Sequence, residues 1–276
     1  MRATFLALVL LCLRASTATA QSTPANANKT ATPVTHLNDF QIIELRRYTI
    51  KLERRGHFAQ YFETYFPEAF QQLGAMALGQ FLERDNKDHF LWLRAFRDMD
   101  ERAKANSAFY YGPVWKEHRS TLNALIDDSD NVLLLRPLDA QRPVTVLPAV
   151  DPVTEPGGAG GIAAALIFPV HAGRAEQFAR EAQATFAQFE AAGVREAGLL
   201  CSLDAQNNFP QLPIRTDGPF VVWLGVMQDE RALKDRFLPL EERARRHLEK
   251  SQLLSGPVEL VVLTPTRRSR LRWVTP

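Results

Sequence analysis

The chain carries an internal repeat, and this repeat restricts its fold more than any other feature of the sequence. The stretch "FLWLRAFRDMDERA" at residues 90–103 returns in altered form as "FVVWLGVMQDERA" at 220–232. Two further pairs keep the same order: "FQQLGA" (70–75) with "FEAAGV" (189–194), and "VLLLRP" (132–137) with "LVVLTP" (260–265). Because several matches follow one order, the sequence predicts two copies of one structural unit.

Each copy has the pattern β-α-β-β-α-β. In the first copy, β-branched and aromatic runs predict strands at 42–50, 76–84, 88–96 and 132–138. An apolar stripe from 58 to 73 predicts a helix kinked at Pro67, and 98–126 predicts a helical region broken at Gly112. This is the ferredoxin-like unit, whose helices cover one sheet face and leave the other bare. Packing two bare faces together buries both of them. The predicted fold class is therefore α+β: two tandem ferredoxin-like repeats packed sheet to sheet, as a barrel-like pseudo-dimer.

Composition shifts along the chain divide it further. Residues 139–160 are crowded with Pro and Gly and predict a linker between a first repeat at 39–138 and a second at 161–266. The second repeat matches the pattern less well and is predicted to be degenerate. Residues 21–38 are small and polar and predict a flexible arm, and 267–276 predict a C-terminal tail.

The first 20 residues have the pattern of a secretory signal peptide. A basic start at Arg2 precedes an apolar run from Phe5 to Leu13, and Ala18-Thr19-Ala20 is a small-residue cleavage site. The apolar run is too short for a stable membrane span. We therefore expect export with cleavage after Ala20, so that the mature protein is periplasmic or secreted.

Charge and histidine spacing exclude several function classes. The 33 basic and 31 acidic residues are mixed along the chain, so no basic footprint for nucleic acid is present. The six histidines are scattered without metal-ligand spacing, and no glycine-rich phosphate loop follows a strand. The sequence thus predicts no nucleic-acid partner, no metal and no cofactor, and it leaves a homo-oligomer open.

Three stretches carry a family resemblance. "ELRRYT" (44–49), "FLWLRAFRDMDER" (90–102) and "FYYGPVWKEHRSTLNALI" (109–126) resemble the NIPSNAP family. The resemblance covers residues 40–137 well, and 161–265 only in strand order and scattered positions. It implies the dimeric α/β-barrel fold class, whose relatives include cofactor-independent oxygenases, isomerases and some haem-binding enzymes. It implies little about the reaction, because the family has no invariant catalytic group.

The candidate site residues lie in the first copy. Strand alternation puts Glu44, Arg46 and Tyr48 on one face. If that face looks into the barrel, the Glu-Arg pair beside the tyrosine could bind a small anionic or hydroxylated ligand; the alternative is a structural ion pair at a strand end or between the two halves. The corresponding strand of the second copy, "IAAALIF" (162–168), has no polar side chain, so we expect a one-sided site and a second copy that serves only as a structural partner.

The second helical region adds three candidates. Tyr110 and Trp115 flank the Gly112 break and could line a pocket, although such aromatic residues more often fill a core. His118 could be a general base if its helix face meets the cavity, or an ordinary exposed histidine if it does not.

Two functions remain open. The first is an exported small-ligand-binding or interaction protein. The alternative is a cofactor-independent α/β-barrel enzyme, with an oxygenase- or isomerase-like reaction on a small aromatic or enolisable substrate. No catalytic motif in the sequence decides between them.

Overall fold

The structure, a computed structural model, describes residues 39–275. The predicted signal peptide and arm lie outside the described residues. The first half contains the strands β1 (Ile42–Ile50), β2 (Met76–Glu83), β3 (His89–Phe96) and β4 (Ile126–Pro137). Its helices are α1 (Arg55–Tyr65), α2 (Pro67–Gln72), α3 (Met99–Tyr110) and α4 (Pro113–Asn123).

The second half has the same succession of strands. These are β5 (Ile162–Pro169), β6 (Arg195–Ser202), β7 (Phe220–Met227) and β8 (Glu259–Pro265). The helix α5 (Ala175–Ala191) follows β5, and a π-helical turn (Ala232–Phe237) leads into α6 (Leu238–Leu248) after β7.

The eight strands close one antiparallel barrel in the order β1-β3-β2-β8-β5-β7-β6-β4. The first half supplies the run β4-β1-β3-β2 and the second half the run β8-β5-β7-β6, so the two halves have the same internal strand order. They meet at two short seams, β2 with β8 and β4 with β6. The predicted α+β class with a barrel of antiparallel strands is confirmed.

Two predicted element bounds were wrong. Pro67 does more than kink the first helix: α1 ends at Tyr65 and α2 begins at Pro67, where a residue without an amide hydrogen fits the first helical position. Tyr65 and Leu73, placed in the apolar stripe, are 41% and 37% exposed because the break turns them outward. Strand β4 begins at Ile126 instead of 132, since its first residues still pair with the end of β1.

The barrel interior is apolar. One face of every strand contributes to a single buried cluster that draws on both halves, for example Leu45, Leu93, Ala165 and Leu224. Burial of this shared face stabilises the two halves as one body, because neither sheet could cover it alone.

Both ends of the barrel are closed. At one end, Val144 and Val146 of the Pro/Gly-rich segment and Leu271 of the C-terminal segment pack into the interior cluster. At the other end, Arg47 of β1 forms ion pairs with Glu83 of β2 and Glu259 of β8. Because β3 and β2 separate β1 from β8, the Arg47–Glu259 pair crosses the barrel. The predicted linker and tail therefore help to fill the core.

The opposite faces of the strands pack against the helices in two separate clusters, one in each half. Tyr48 belongs to the cluster of the first half, together with Phe58, Phe62 and Trp92. The row Glu44–Arg46–Tyr48 therefore faces the helices and not the barrel interior. No helix within residues 39–275 is both long enough and apolar enough to cross a membrane.

Candidate functional site

A small cavity lies between the first-half sheet and its helices. Its volume is about 100 Å³, close to that needed for a small molecule or a few waters. Arg46 and Tyr48 of β1 form its polar floor, and Tyr110 contributes a third polar group from the end of α3. The remaining walls are mainly aromatic: Phe62, Phe66, Phe70, Trp92, Phe109 and Trp115, with Leu122, Asn123, Ile126, Ser129 and Leu212.

A buried cluster of charges supports this floor. Glu44 is fully buried and accepts from three arginines: Arg46 Nη1 at 2.7 Å, Arg94 Nε at 2.8 Å and Arg102 Nε at 2.7 Å. Arg46 Nε also donates to the Tyr48 hydroxyl at 2.8 Å. All three arginines are at most 1% exposed. One carboxylate thus faces three guanidinium groups, which leaves an excess of two positive charges in the cluster.

These charges shift the ionisation of their neighbours. Burial by itself would raise the pKa of Glu44, but Arg94, Arg46 and Arg102 together hold that pKa far below its ordinary value. Burial lowers the pKa of Arg102, and Glu44 opposes this effect. Burial raises the pKa of the Tyr110 hydroxyl more than Arg94 lowers it. Tyr110 is therefore neutral and does not offset the positive excess.

Several donors in and beside the cluster have no hydrogen-bond partner among the described residues. They are Arg94 Nη1, Arg102 Nη2 and Trp92 Nε1. Arg94 Nη2 lies 2.7 Å from Glu44 Oε2, but its angle makes this an ionic contact and not a hydrogen bond. Buried donors without partners are uncommon in folded proteins, and each is costly. Arg94 also lies 5.2 Å from the Trp92 ring and 5.9 Å from the Tyr110 ring, so it sits directly behind two cavity walls.

An outer cleft adjoins the cavity. It measures about 350 Å³ and shares Tyr110, Trp115 and Leu212 with the cavity as a common wall. Lys116 and Arg119 of α4 give the cleft a positive edge. A molecule that approaches through this cleft would meet these cations first.

The outer wall of this cleft comes from the second half. The segment 203–219 connects β6 to β7 and reaches across to the first half. Asn207 and Asn208 accept from Arg102 Nη1 at 3.1 and 2.7 Å, and the Phe209 ring lies 5.8 Å from the Tyr110 ring. The second half therefore also supplies polar contacts to the first half, which were not predicted from the sequence.

Four of the six predicted site residues line the cavity: Arg46, Tyr48, Tyr110 and Trp115. Glu44 lies behind the floor and holds Arg46 in place. His118 does not line the cavity. Its Nδ1 pairs with the Tyr61 hydroxyl at 2.8 Å, and its ring stacks on Tyr65 at 4.0 Å between centroids. The face of α4 that carries His118 packs on α1, which explains its position.

The equivalent place in the second half is filled. Glu44 pairs in register with Arg94, and Arg46 with Trp92; the matching pairs in the second half are Ala164 with Gly225 and Leu166 with Trp223. A Cβ atom at Gly225 would clash with the Trp223 ring, which lies over it. That ring stacks on Phe186 and Phe237 at 5.9 Å. The same fold is therefore stable with an apolar, well-packed core at this place.

Two larger clefts lie in or near the second half. One, of about 330 Å³, borders α5 and Glu196, and the other, of about 520 Å³, borders Cys201 and Arg215 near the seam between β4 and β6. Both have many solvent-exposed residues in their walls. Residues 39–275 also contain no group of three His, Cys, Asp or Glu side chains placed to hold a metal ion.

One family model matches the part of the chain that carries this site. Residues 43–139 match the NIPSNAP family model. The matched segment comprises the first half of the barrel, from β1 to the end of β4, and includes Arg46, Arg94, Arg102 and Tyr110. No curated protein matches the chain in sequence.

Solved structures resemble the chain over most of its length. A suggested monooxygenase from Fusobacterium nucleatum is 10% identical to this chain, with a TM-score of 0.55. The match covers 85% of this chain and 96% of the Fusobacterium chain. A suggested monooxygenase from Lactobacillus acidophilus is 13% identical to this chain, with a TM-score of 0.51. The match covers 82% of this chain and 94% of the Lactobacillus chain. An anthrone oxidase-like protein is 11% identical to this chain, with a TM-score of 0.50. The match covers 85% of this chain and 97% of the oxidase-like chain. At these identities the likeness shows the fold alone.

Proposed function

We propose that this chain is an exported protein, built from two tandem ferredoxin-like repeats, that binds a small molecule in the cavity of its NIPSNAP domain. One observation carries the proposal: the first half keeps a cavity with Arg46, Tyr48 and Tyr110 in its wall, whereas the second half has Leu166 at the position of Arg46 and the pair Ala164–Gly225 at the position of Glu44–Arg94. Unfilled space and buried polar groups both cost stability, so their retention in one half alone favours a function there.

The geometry also limits the ligand. Aromatic walls suit a planar or apolar body, and a cavity of about 100 Å³ admits a group no larger than about one ring. A larger molecule would extend past Leu212 into the outer cleft.

A matched pair of leucine substitutions tests the cavity. Leu122 near the end of α4 lines the cavity, and Leu248 at the end of α6 lies in the second-half core. We expect Leu122→Phe to place its ring in the cavity and to weaken binding of benzoate or benzyl alcohol at least about tenfold. Leu248→Phe should leave the affinity of either probe unchanged, as measured by isothermal titration calorimetry on the mature chain.

The cavity proposal fails if Leu122→Phe binds both probes as well as the unaltered protein does. It also fails if neither probe binds and mass spectrometry finds no small molecule released from the native protein. Export is tested separately: the N-terminal sequence of the exported protein should begin at Gln21, and a start at Met1 would contradict cleavage.

A second candidate is a cofactor-independent enzyme acting on a small aromatic or enolisable substrate. The Arg46–Tyr48 hydrogen bond favours it, because a cation beside a phenol can stabilise negative charge that develops on a bound substrate. The resemblance to suggested monooxygenases and to an anthrone oxidase-like protein fits the same idea. Oxygen uptake with an anthrone or a phenol separates an oxygenase from a binding protein, because a binding protein takes up no oxygen. In an enzyme, Tyr48→Phe should abolish the turnover.

A further inference from the structure

The charge balance of the buried cluster indicates that the ligand carries a negative charge. This inference rests on the proposed binding function. Glu44 can neutralise only one of the three guanidinium groups around it. No second carboxylate among the described residues forms an ion pair with Arg46, Arg94 or Arg102. Asn207 and Asn208 are neutral, so they solvate Arg102 without balancing its charge. A buried positive excess of this kind is unfavourable unless an anion joins it.

Unpartnered donors lie close to the cavity. Arg46 is part of the cavity floor, and Trp92 is part of its wall, with Nε1 unpartnered. Arg94 Nη1 is unpartnered as well, and its guanidinium lies between Phe70, Trp92 and Tyr110 at 5.2–5.9 Å from their rings. All three of these rings line the cavity. Arg46 therefore borders the aromatic cavity directly, and the unpartnered donor of Arg94 lies behind its wall.

The second half shows that the fold does not require these charges. Ala164, Leu166 and Gly225 occupy the register positions of Glu44, Arg46 and Arg94. Arg231, which matches Arg102 in the repeated sequence "DERA", is an exposed residue on the protein surface. A duplicated unit that folds without the cluster in one copy needs another reason to keep it in the other.

We propose that the ligand is a small aromatic or apolar carboxylic acid, whose body fills the aromatic cavity while its carboxylate binds Arg46 at the floor and reaches Arg94 once the Trp92 and Tyr110 rings in front of it shift. A carboxylate is planar and accepts paired hydrogen bonds from guanidinium groups. It would supply the missing negative charge and acceptors for Arg94 Nη1 and Trp92 Nε1. Lys116 and Arg119 at the outer cleft would attract the same anion before it enters.

Two probes of nearly equal shape test this proposal. Benzoate carries a carboxylate, and benzyl alcohol carries a neutral hydroxymethyl group in its place. We expect the full mature chain to bind benzoate at least about tenfold more tightly than benzyl alcohol, and less tightly as salt rises. Arg94→Met should reduce this preference to less than about threefold. Arg195→Met, which removes an arginine stacked on Trp273 in the second half, should keep the preference.

Stability measurements separate a ligand role of Arg94 from a structural one. Because Arg94 adds to an uncompensated positive charge, Arg94→Met should unfold at a urea concentration equal to or above that of the unaltered protein. A purely structural arginine would give a clearly lower midpoint. If Arg94→Met does not fold, Arg94→Lys keeps the charge but loses the planar fork, and it should still weaken benzoate binding about tenfold.

The binding results for the two probes distinguish failure of the carboxylate proposal from failure of the proposed function. Equal affinity for the two probes, or a benzoate preference that survives both Arg94 variants, overturns the carboxylate proposal and leaves the cavity as a binding site for neutral molecules. Absence of binding by both probes overturns this inference, and it overturns the proposed function as well if mass spectrometry finds no small molecule released from the native protein.

Discussion

Glu44→Gln is expected to lower the free energy of unfolding by about 4 kcal/mol or more, the largest effect of any single substitution proposed for this chain. The carboxylate is fully buried and is the shared partner of Arg46, Arg94 and Arg102. Glutamine has nearly the same shape, so the change removes the charge and leaves the volume. Breaking a buried ion pair by removing one partner costs about 3–5 kcal/mol, and here three cations lose their counter-ion together.

Urea denaturation at pH 7 measures this loss. Glu242→Gln is the matched control, because Glu242 forms an exposed pair with Arg246 on α6. Exposed helical pairs of this kind contribute about 0.3–0.5 kcal/mol, so the control should unfold almost as the unaltered protein does. A loss below about 1 kcal/mol for Glu44→Gln would contradict a charged, buried cluster.

The pH dependence of stability follows from the same residue. The pKa of Glu44 is lowered in the folded state from its ordinary value of 4.5. Its contribution is therefore complete above about pH 4.5 and is lost progressively as the pH falls through the acid range. Glu44→Gln should flatten this part of the stability curve, because the variant has no carboxylate to protonate there.

Much of the fold was predictable because local patterns and the repeat agree. Strands with clear β-branched or aromatic runs, such as β1 and β7, lie where the sequence placed them. The row Glu44–Arg46–Tyr48 was predictable from strand alternation alone. Which side of the sheet it faces was not, because both faces are buried and alternation does not distinguish the barrel interior from the helix side.

The arginines that complete the site were missed, although a signal was present. Arg94 stands in the otherwise apolar strand "FLWLRAF" and shares its face with Trp92. A charged residue inside a buried strand needs a partner, and the antiparallel register with β1 supplies Glu44 directly opposite. Arg102 was harder to identify, because the repeated "DERA" suggested a role common to both halves. The structure instead buries Arg102 and exposes Arg231.

The connection 203–219 was missed for a different reason. It has no periodic pattern, so the sequence gives no secondary structure for it. Its length was nevertheless a signal, because β2 and β3 in the first half are joined by a short turn while β6 and β7 are far apart. Long connections inside compact domains are commonly functional. Its contacts with the first half depend on the closed barrel, which brings β6 beside β4.

Changes in this connection should therefore destabilise the opposite half. We expect Asn207→Ala combined with Asn208→Ala to lower the free energy of unfolding by about 3–6 kcal/mol, since hydrogen bonds to a charged group contribute about 1.5–3 kcal/mol each. Both amides accept from Arg102 Nη1, and without them Nη1 and Nη2 would both be buried without partners. Urea denaturation gives the loss, and Gln206→Ala in the same segment is the control for an exposed neighbour.

A double-mutant cycle with Arg102→Met decides whether the effect passes through the arginine. In that background no buried guanidinium remains to be satisfied, so the two asparagine changes should cost less than about half as much. The remaining loss of stability reflects the other hydrogen bonds of the two asparagines, which Asn207 donates to Leu212 O and Asn208 donates to Met99 O. An equal loss in both backgrounds would mean that the connection acts only by covering the cleft. A strong coupling would mean that the second half, whose own core carries no such charges, helps to hold the charged cluster of the first half in place.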